Sequence, residues 1–168
     1  MKLQLKKVYF SEQMSEETNA FTADVYFNGK KMGYAKNDGH GGCTHIMPHE
    51  GMRSQLAEAE AYAKSLPSIN TGLTKGSNGE PFIIESDLEV QVDELFQVWL
   101  EKKDTTKNSN KGIYFQASDG KKRILSWNMS IAKMKKLPQG QLKLQTSLDK
   151  IVREGGKVLN TNLAGYKF

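Results

Sequence analysis

Phe21, Ala23, Val25 and Phe27 alternate with Thr22, Asp24 and Tyr26, and the run ends in Asn28-Gly29. Apolar residues at every second position send one side of an extended segment into a core and the other into water. Asn-Gly is a strong signal for a two-residue hairpin, because both residues tolerate positive φ. Met32 and Tyr34 carry the alternation onto a return strand. The segment Asn37–Gly42 then reads as a turn, with a third strand expected from Cys43 to about Met47. Upstream, Leu3/Leu5 and Val8/Phe10 alternate out of phase, which predicts a strand with a bulge near Lys6-Lys7. The start of the chain is therefore constrained to an antiparallel meander with one buried face.

Met52, Leu56, Ala59, Ala63 and Leu66 repeat at helical spacing, and Pro67 ends the pattern. This predicts a helix to cover the meander. Residues 68–80 carry turn chemistry and read as a loop, followed by a short strand from Pro81 to Ile84. Ser86 and Glu89 have the spacing of a capping box, with Asp87 adding charge at the start of a helix that buries Leu88, Val92, Leu95, Phe96 and Trp99. Lys102–Lys111 reads as polar and mobile. A second hairpin is expected from Gly112 to Ser118 and Lys121 to Trp127, turned at Asp119-Gly120, with Phe115 opposite Ile124. A short basic helix over Met129–Leu137, broken at Pro138, precedes a helix over Gln141–Glu154 that presents Leu144, Leu148 and Ile151 and stops at Gly155-Gly156. Val158–Leu163 could form a closing strand. The expected class is α+β: antiparallel β-meander and hairpins packed by amphipathic helices. The organisation reads as two lobes, 1–67 and 81–168, which could share one core.

Charge is distributed unevenly. Residues 1–100 hold 9 Lys/Arg against 14 Asp/Glu, and residues 101–168 hold 15 against 5. A basic half points to a polyanionic partner, with solubility or attraction to the chain's own acidic half as the plainer explanation. Lys121, Lys122 and Arg123 fall at the tip of the second hairpin, and Lys133, Lys135 and Lys136 on the short helix. Tyr114 and Trp127 flank the hairpin base. Cations for phosphates and an aromatic face, Tyr114, for a base are the components of a nucleic-acid surface. Equally, both aromatics could belong to the core.

All three histidines and the single cysteine lie within ten residues, as His40, Cys43, His45 and His49. Imidazole and thiolate suit zinc, with four ligands for a structural site or three plus water for catalysis. The spacing matches no established zinc signature, however, and four ligands along one short strand are poorly disposed for a tetrahedron. A polar turn with surface histidines and a small buried cysteine is the alternative. The turn Asn37-Asp38-Gly39-His40-Gly41-Gly42 could present backbone N–H groups to a phosphate, but it lacks a P-loop ending and a following helix, so a connector is favoured. The first residues are not followed by the apolar stretch of a signal peptide, and no run of about 18 apolar residues is present to span a membrane. With one cysteine the expected setting is a reducing cytoplasm.

The stretch Val25-Tyr26-Phe27-Asn28-Gly29-Lys30-Lys31-Met32-Gly33 resembles the strand–turn–strand of a double-stranded-RNA-binding domain. The lysine pair with which that family's last helix contacts phosphate is replaced here by Met52-Arg53-Ser54, so the resemblance implies topology only. FTADVYFNGKKMGYAKNDGHGG is also similar to small uncharacterised proteins of bacterial viruses, over about the first 66 residues. That resemblance implies an accessory role in a host cytoplasm, handling nucleic acid or blocking a host factor. The expectation is thus a non-enzymatic binding protein, without a resident cofactor, that engages nucleic acid or an acidic protein through its basic half. The alternatives are a metal-dependent, hydrolase-like enzyme using zinc at the histidine–cysteine cluster, and a homo-oligomer that self-associates through opposed charges.

Overall fold

A computed structural model describes residues 1–75 and 79–168. The chain divides into two compact units, Met1–Val98 and Trp99–Phe168.

In the first unit, β1 (Leu3–Ser11), β2 (Ala20–Phe27), β3 (Lys30–Asn37) and β4 (His45–Pro48) form an antiparallel sheet in that order. Asn28 and Gly29 make the turn with φ of 49° and 83°, both in the left-handed region the sequence called for. β1 carries a register shift between Lys6 and Tyr9, with Lys7 at φ 48°. This bulge brings Phe10 onto the same face as Leu3 and Leu5, resolving their difference in phase. α1 (Arg53–Lys64) and the start of α2 (Leu88–Lys111) cover that inner face. Phe21 stacks on Phe96 at 4.0 Å between ring centres, and Phe27 meets Tyr62 at 5.8 Å. Val25, Phe27, Met32, Ala35, Ala59, Ala63 and Val92 are buried completely.

The outer face follows from the strand register. One row holds Tyr9, Thr22, Lys36 and His45; the next holds Lys6, Asp24, Tyr34 and Met47; a third holds Gln4, Tyr26 and Lys31.

Part of the expected loop instead forms β5 (Ile69–Lys75), which pairs in a two-stranded ribbon with β6 (Glu80–Ile84), the strand expected over Pro81–Ile84. Residues 76–78 of that expected loop lie outside the described residues. Nearly every residue of the ribbon is exposed, so no burial period was present to betray it. The capping box at Ser86 is not formed. Asp87 caps α2 by accepting from Val90 N–H at 2.8 Å, while the Ser86 hydroxyl donates to the Ala63 carbonyl at the end of α1 and Glu89 accepts from Thr44 N–H. Leu88, Val92 and Phe96 are buried as expected, whereas Leu95 and Trp99 are half-buried.

α2 continues through Lys111, where a mobile stretch was expected. Its last turn is tied down from a distance: Ser109 is buried, its hydroxyl accepts from Thr161 N–H, and the Asn162 amide donates to its carbonyl. In the second unit β7 (Gly112–Gln116) lies between β8 (Lys122–Ser126) and β9 (Lys157–Val158). The hairpin register differs by one residue from the expectation, with Tyr114 opposite Ile124 and Phe115 opposite Arg123. The cause is a three-residue loop, Ser118-Asp119-Gly120, closed by Ala117 N–H to Lys121 O and ending in Gly120 at φ 80°. α3 (Ile131–Met134) is capped by Ser130, and α4 (Pro138–Arg153) opens on Pro138, which starts the helix as an N1 proline. Leu144, Leu148 and Ile151 meet Ile113, Ile131, Met134 and Leu163 in one core, each large side chain contributing about 2 kcal/mol by leaving water. The architecture is α+β, and among the described residues no helix is long and apolar enough to cross a membrane.

Candidate nucleic-acid interface

The hairpin tip and the α3 segment hold the basic residues that the sequence singled out, and the structure sorts them. Lys121, Lys122, Arg123, Lys133 and Lys136 are exposed. Arg123 is bound to Asp119, Nη2 to Oδ2 at 2.7 Å, so part of its charge is answered within the hairpin. Lys121, Lys122, Lys133 and Lys136 have no carboxylate within 4.0 Å among the described residues. Alternation along β8 sends Lys122 and Arg123 to opposite faces.

Lys135 has a structural task. Its ammonium donates to the Asn162 carbonyl at 2.7 Å and lies 5.8 Å from the centre of the Tyr166 ring, fastening the tail to α3. Tyr114 is withdrawn from the surface. It is 6% exposed, and its backbone N–H is bonded to Asn160, so its ring is no stacking partner for a base. Surface hollows in this unit are reached by Tyr166, which Lys135 covers, and by Trp127. With Met129, Met134, Leu137, Gly140 and Lys143 it lines a depression of about 530 Å³, within the usual range of ligand sites. Its sequence signal was the indole next to the basic helix, which composition alone could not distinguish from a core residue.

The histidine–cysteine cluster is dispersed. His40 Nδ1 sits 3.3 Å from Glu16 Oε2. Cys43 is a free, exposed thiol. His45 lies on β4 opposite Lys36, and His49 follows the strand with its ring 6.4 Å from that of Tyr34. His45 and His49 do share the outer face, but four residues of extended chain separate them by about 13 Å, too far for one ion. Among the described residues no group of three or more His, Cys, Asp or Glu side chains is placed to hold a metal ion.

The glycine turn is built to support itself. Asn37 Oδ1 accepts from Gly39 N–H and the Thr18 hydroxyl, and its Nδ2 donates to Gly42 O and Thr44 Oγ1. The N–H groups of Glu16, Glu17 and Thr18 converge on the Gly39 carbonyl at 3.0–3.2 Å, so the concavity they form is filled by the chain itself. Thr44 continues the network, donating to Asp93 Oδ1 at 2.6 Å. Burial pushes the Asp93 carboxyl above the ordinary carboxylate range; the Thr44 hydrogen bond opposes that, and Glu89, Asp87 and Glu94 reinforce it. Lys36 and Asp38, 2.8 Å apart, hold each other charged: the hydrogen bond raises the lysine and lowers the aspartate.

A second basic surface was hidden by averaging charge over residues 1–100. The strands of the first unit's four-stranded sheet carry Lys6, Lys7, Lys30, Lys31 and Lys36 against one carboxylate, Asp24. The acidic surplus of that half lies in its helices and connections. No protein-family model matches the chain, no curated protein matches it significantly in sequence, and no solved structure does so in fold.

Proposed function

We propose that this chain is a non-enzymatic nucleic-acid-binding protein whose second unit supplies the electrostatic contact. The observation that carries the reading is the density of unanswered charge: residues 99–168 hold 15 Lys/Arg against 5 Asp/Glu, and Lys121, Lys122, Lys133 and Lys136 stand exposed without a carboxylate partner among the described residues. Such cations bind phosphate by releasing condensed counterions, which needs neither sequence readout nor a catalytic group. The hollow beside Trp127, with Lys143 on its rim, adds an indole near those charges. Taken with the resemblance of residues 1–66 to small bacterial-virus proteins, the reading is that of an accessory factor acting on nucleic acid.

The test is fluorescence anisotropy with a labelled oligonucleotide across a salt series. If four lysines each neutralise one phosphate, log K falls against log salt with a slope of about −3. The variant Lys121→Glu/Lys122→Glu/Lys133→Glu/Lys136→Glu should lose most of that slope and bind at least tenfold more weakly. No binding at low salt, or an affinity indifferent to salt, refutes the proposal.

A further inference from the structure

The outer face of an antiparallel sheet in an α+β protein is ordinarily a polar, solvated surface. Here it carries three tyrosines, one in each row of the cross-strand register: Tyr9 on β1, Tyr26 on β2 and Tyr34 on β3. Tyr9 is 71% exposed and Tyr34 39%. Lys6, Lys31 and Lys36 share the face with them. Asp24, the one carboxylate in these strands, is engaged by Lys31 at 2.8 Å and approached by Lys7 at 4.0 Å, and Lys36 is paired with Asp38 at 2.8 Å just past the end of β3, so Lys6 and Lys7 supply positive charge left over on these strands. We propose that this face is a stacking platform for single-stranded nucleic acid, with Tyr9, Tyr26 and Tyr34 receiving bases and the sheet lysines receiving phosphates.

Several features favour this occupant. Unpaired bases offer flat π-faces, and a four-stranded sheet with two or three exposed rings can stack two or three of them. A duplex keeps those faces inside its own stack. Neighbouring rows and strands place Tyr26 and Tyr34 roughly 8 Å apart, close enough for one short segment of strand to touch both. Lys6 lies with its ammonium 4.0 Å from the centre of the Tyr26 ring. An exposed cation–π contact of this kind is weaker than a base–aromatic stack, so an arriving base displaces the lysine, which remains beside the strand to meet its phosphate. The Tyr34 hydroxyl donates to Met47 Sδ at 3.1 Å, anchoring its ring. Where Tyr9 meets the sheet end, Met14, Thr22 and Lys36 border a hollow of about 210 Å³, sized for one group rather than a large ligand.

The inference rests on the reading that nucleic acid is the partner, but it uses a different surface and can fail separately. The experiment measures binding of the full chain to a labelled oligothymidylate and to a duplex of equal length. It compares wild type, Tyr9→Ala/Tyr34→Ala, Tyr9→Phe/Tyr34→Phe and the four-lysine variant, each checked for an unchanged melting temperature. The alanine pair should weaken single-strand binding about tenfold per ring with the salt slope preserved, and leave duplex binding within twofold. The phenylalanine pair should restore single-strand binding, because the π-face is what is used. Single-strand affinity within twofold of wild type in the alanine pair overturns the platform; a simultaneous loss in the four-lysine variant would leave the second-unit reading standing. The reverse result, loss with the tyrosines and none with the lysines, supports the platform and removes the second-unit reading. A wild-type chain that binds neither probe at low salt overturns both.

Discussion

Asn160 is the side chain whose removal should cost the second unit most for its size. Its Oδ1 accepts from Tyr114 N–H at 2.7 Å, and its Nδ2 donates to Gly112 O at 3.0 Å, Asn162 Oδ1 at 3.0 Å and Ser109 O at 3.3 Å. Asn160→Ala leaves the N–H of the buried Tyr114 without a partner, a loss of about 1–3 kcal/mol. The Gly112 carbonyl loses a donor worth about 1 kcal/mol, while Ser109 O keeps the one from Asn162. The expected total is about 3 kcal/mol, which at a typical urea slope of about 1.5 kcal/mol per molar lowers the midpoint by about 2 M. The assay is urea unfolding followed by tryptophan fluorescence, since both tryptophans, Trp99 and Trp127, belong to this unit. Asn160→Asp serves as a control: it keeps the acceptor for Tyr114 but aims a carboxylate at three acceptor oxygens, so it should be destabilised at neutral pH and recover in part in acid as the carboxyl gains a proton to donate to one of them. A loss under about 0.5 kcal/mol in Asn160→Ala, or an Asp variant insensitive to pH, would refute the reasoning.

Two further outcomes follow from the first unit. Asp93 binds its proton more tightly folded than unfolded, so its contribution to stability is complete below the ordinary carboxylate pKa, near pH 4, and is lost as pH rises through the elevated folded value. Asp93→Asn keeps an acceptor for Thr44 and removes the half-buried charge; its Tm at pH 7 should equal or exceed that of wild type, with a flatter dependence between about pH 4 and 7, and a markedly lower Tm would refute the account. Zinc in tenfold excess over protein should leave Tm unchanged, because His40, Cys43, His45 and His49 are not brought to one point; a rise of several degrees would restore the metal reading.

The sequence was most readable where one physical signal dominated. Asn28-Gly29 between alternating runs specified the turn and the buried face of β2, but a register shift between Val25 and Tyr26 buries Met32 and leaves Tyr34 outside, where the alternation had set them on one face. Leu144, Leu148 and Ile151 specified the buried face of a helix. It misled where two local solutions were available. Ser118-Asp119-Gly120 could turn on two residues or on three, and the choice moves every side chain of β8 relative to β7. Ser86 could cap its own helix or add a second donor to a carbonyl in the last turn of α1, and the distant partner won. Lys102–Lys111 lacked an apolar stripe, and its order comes from contacts with residues some 50 positions later. The basic surfaces show the same limits. Counting charge located the second unit's lysines but could not reveal that Lys135 is turned inward or that Tyr114 is buried. The lysines of the sheet were invisible in a net count, because the acidic residues of α2 and of the connections in the same half cancel them; only strand register places Lys6, Lys31 and Lys36 on one face with the tyrosines.

Leu163 also determines when the second unit can become stable during synthesis. The inner core of the first unit is complete in sequence by Phe96, so it can close while the rest of the chain is still being made. The second unit must wait for Leu163 and for the asparagines that fasten α2's last turn. In that interval the apolar stripe of α4 and the β7 edge that later receives β9 are uncovered. This is the nascent surface on which a chaperone would act, and the stage at which neighbouring chains on one message are most prone to associate.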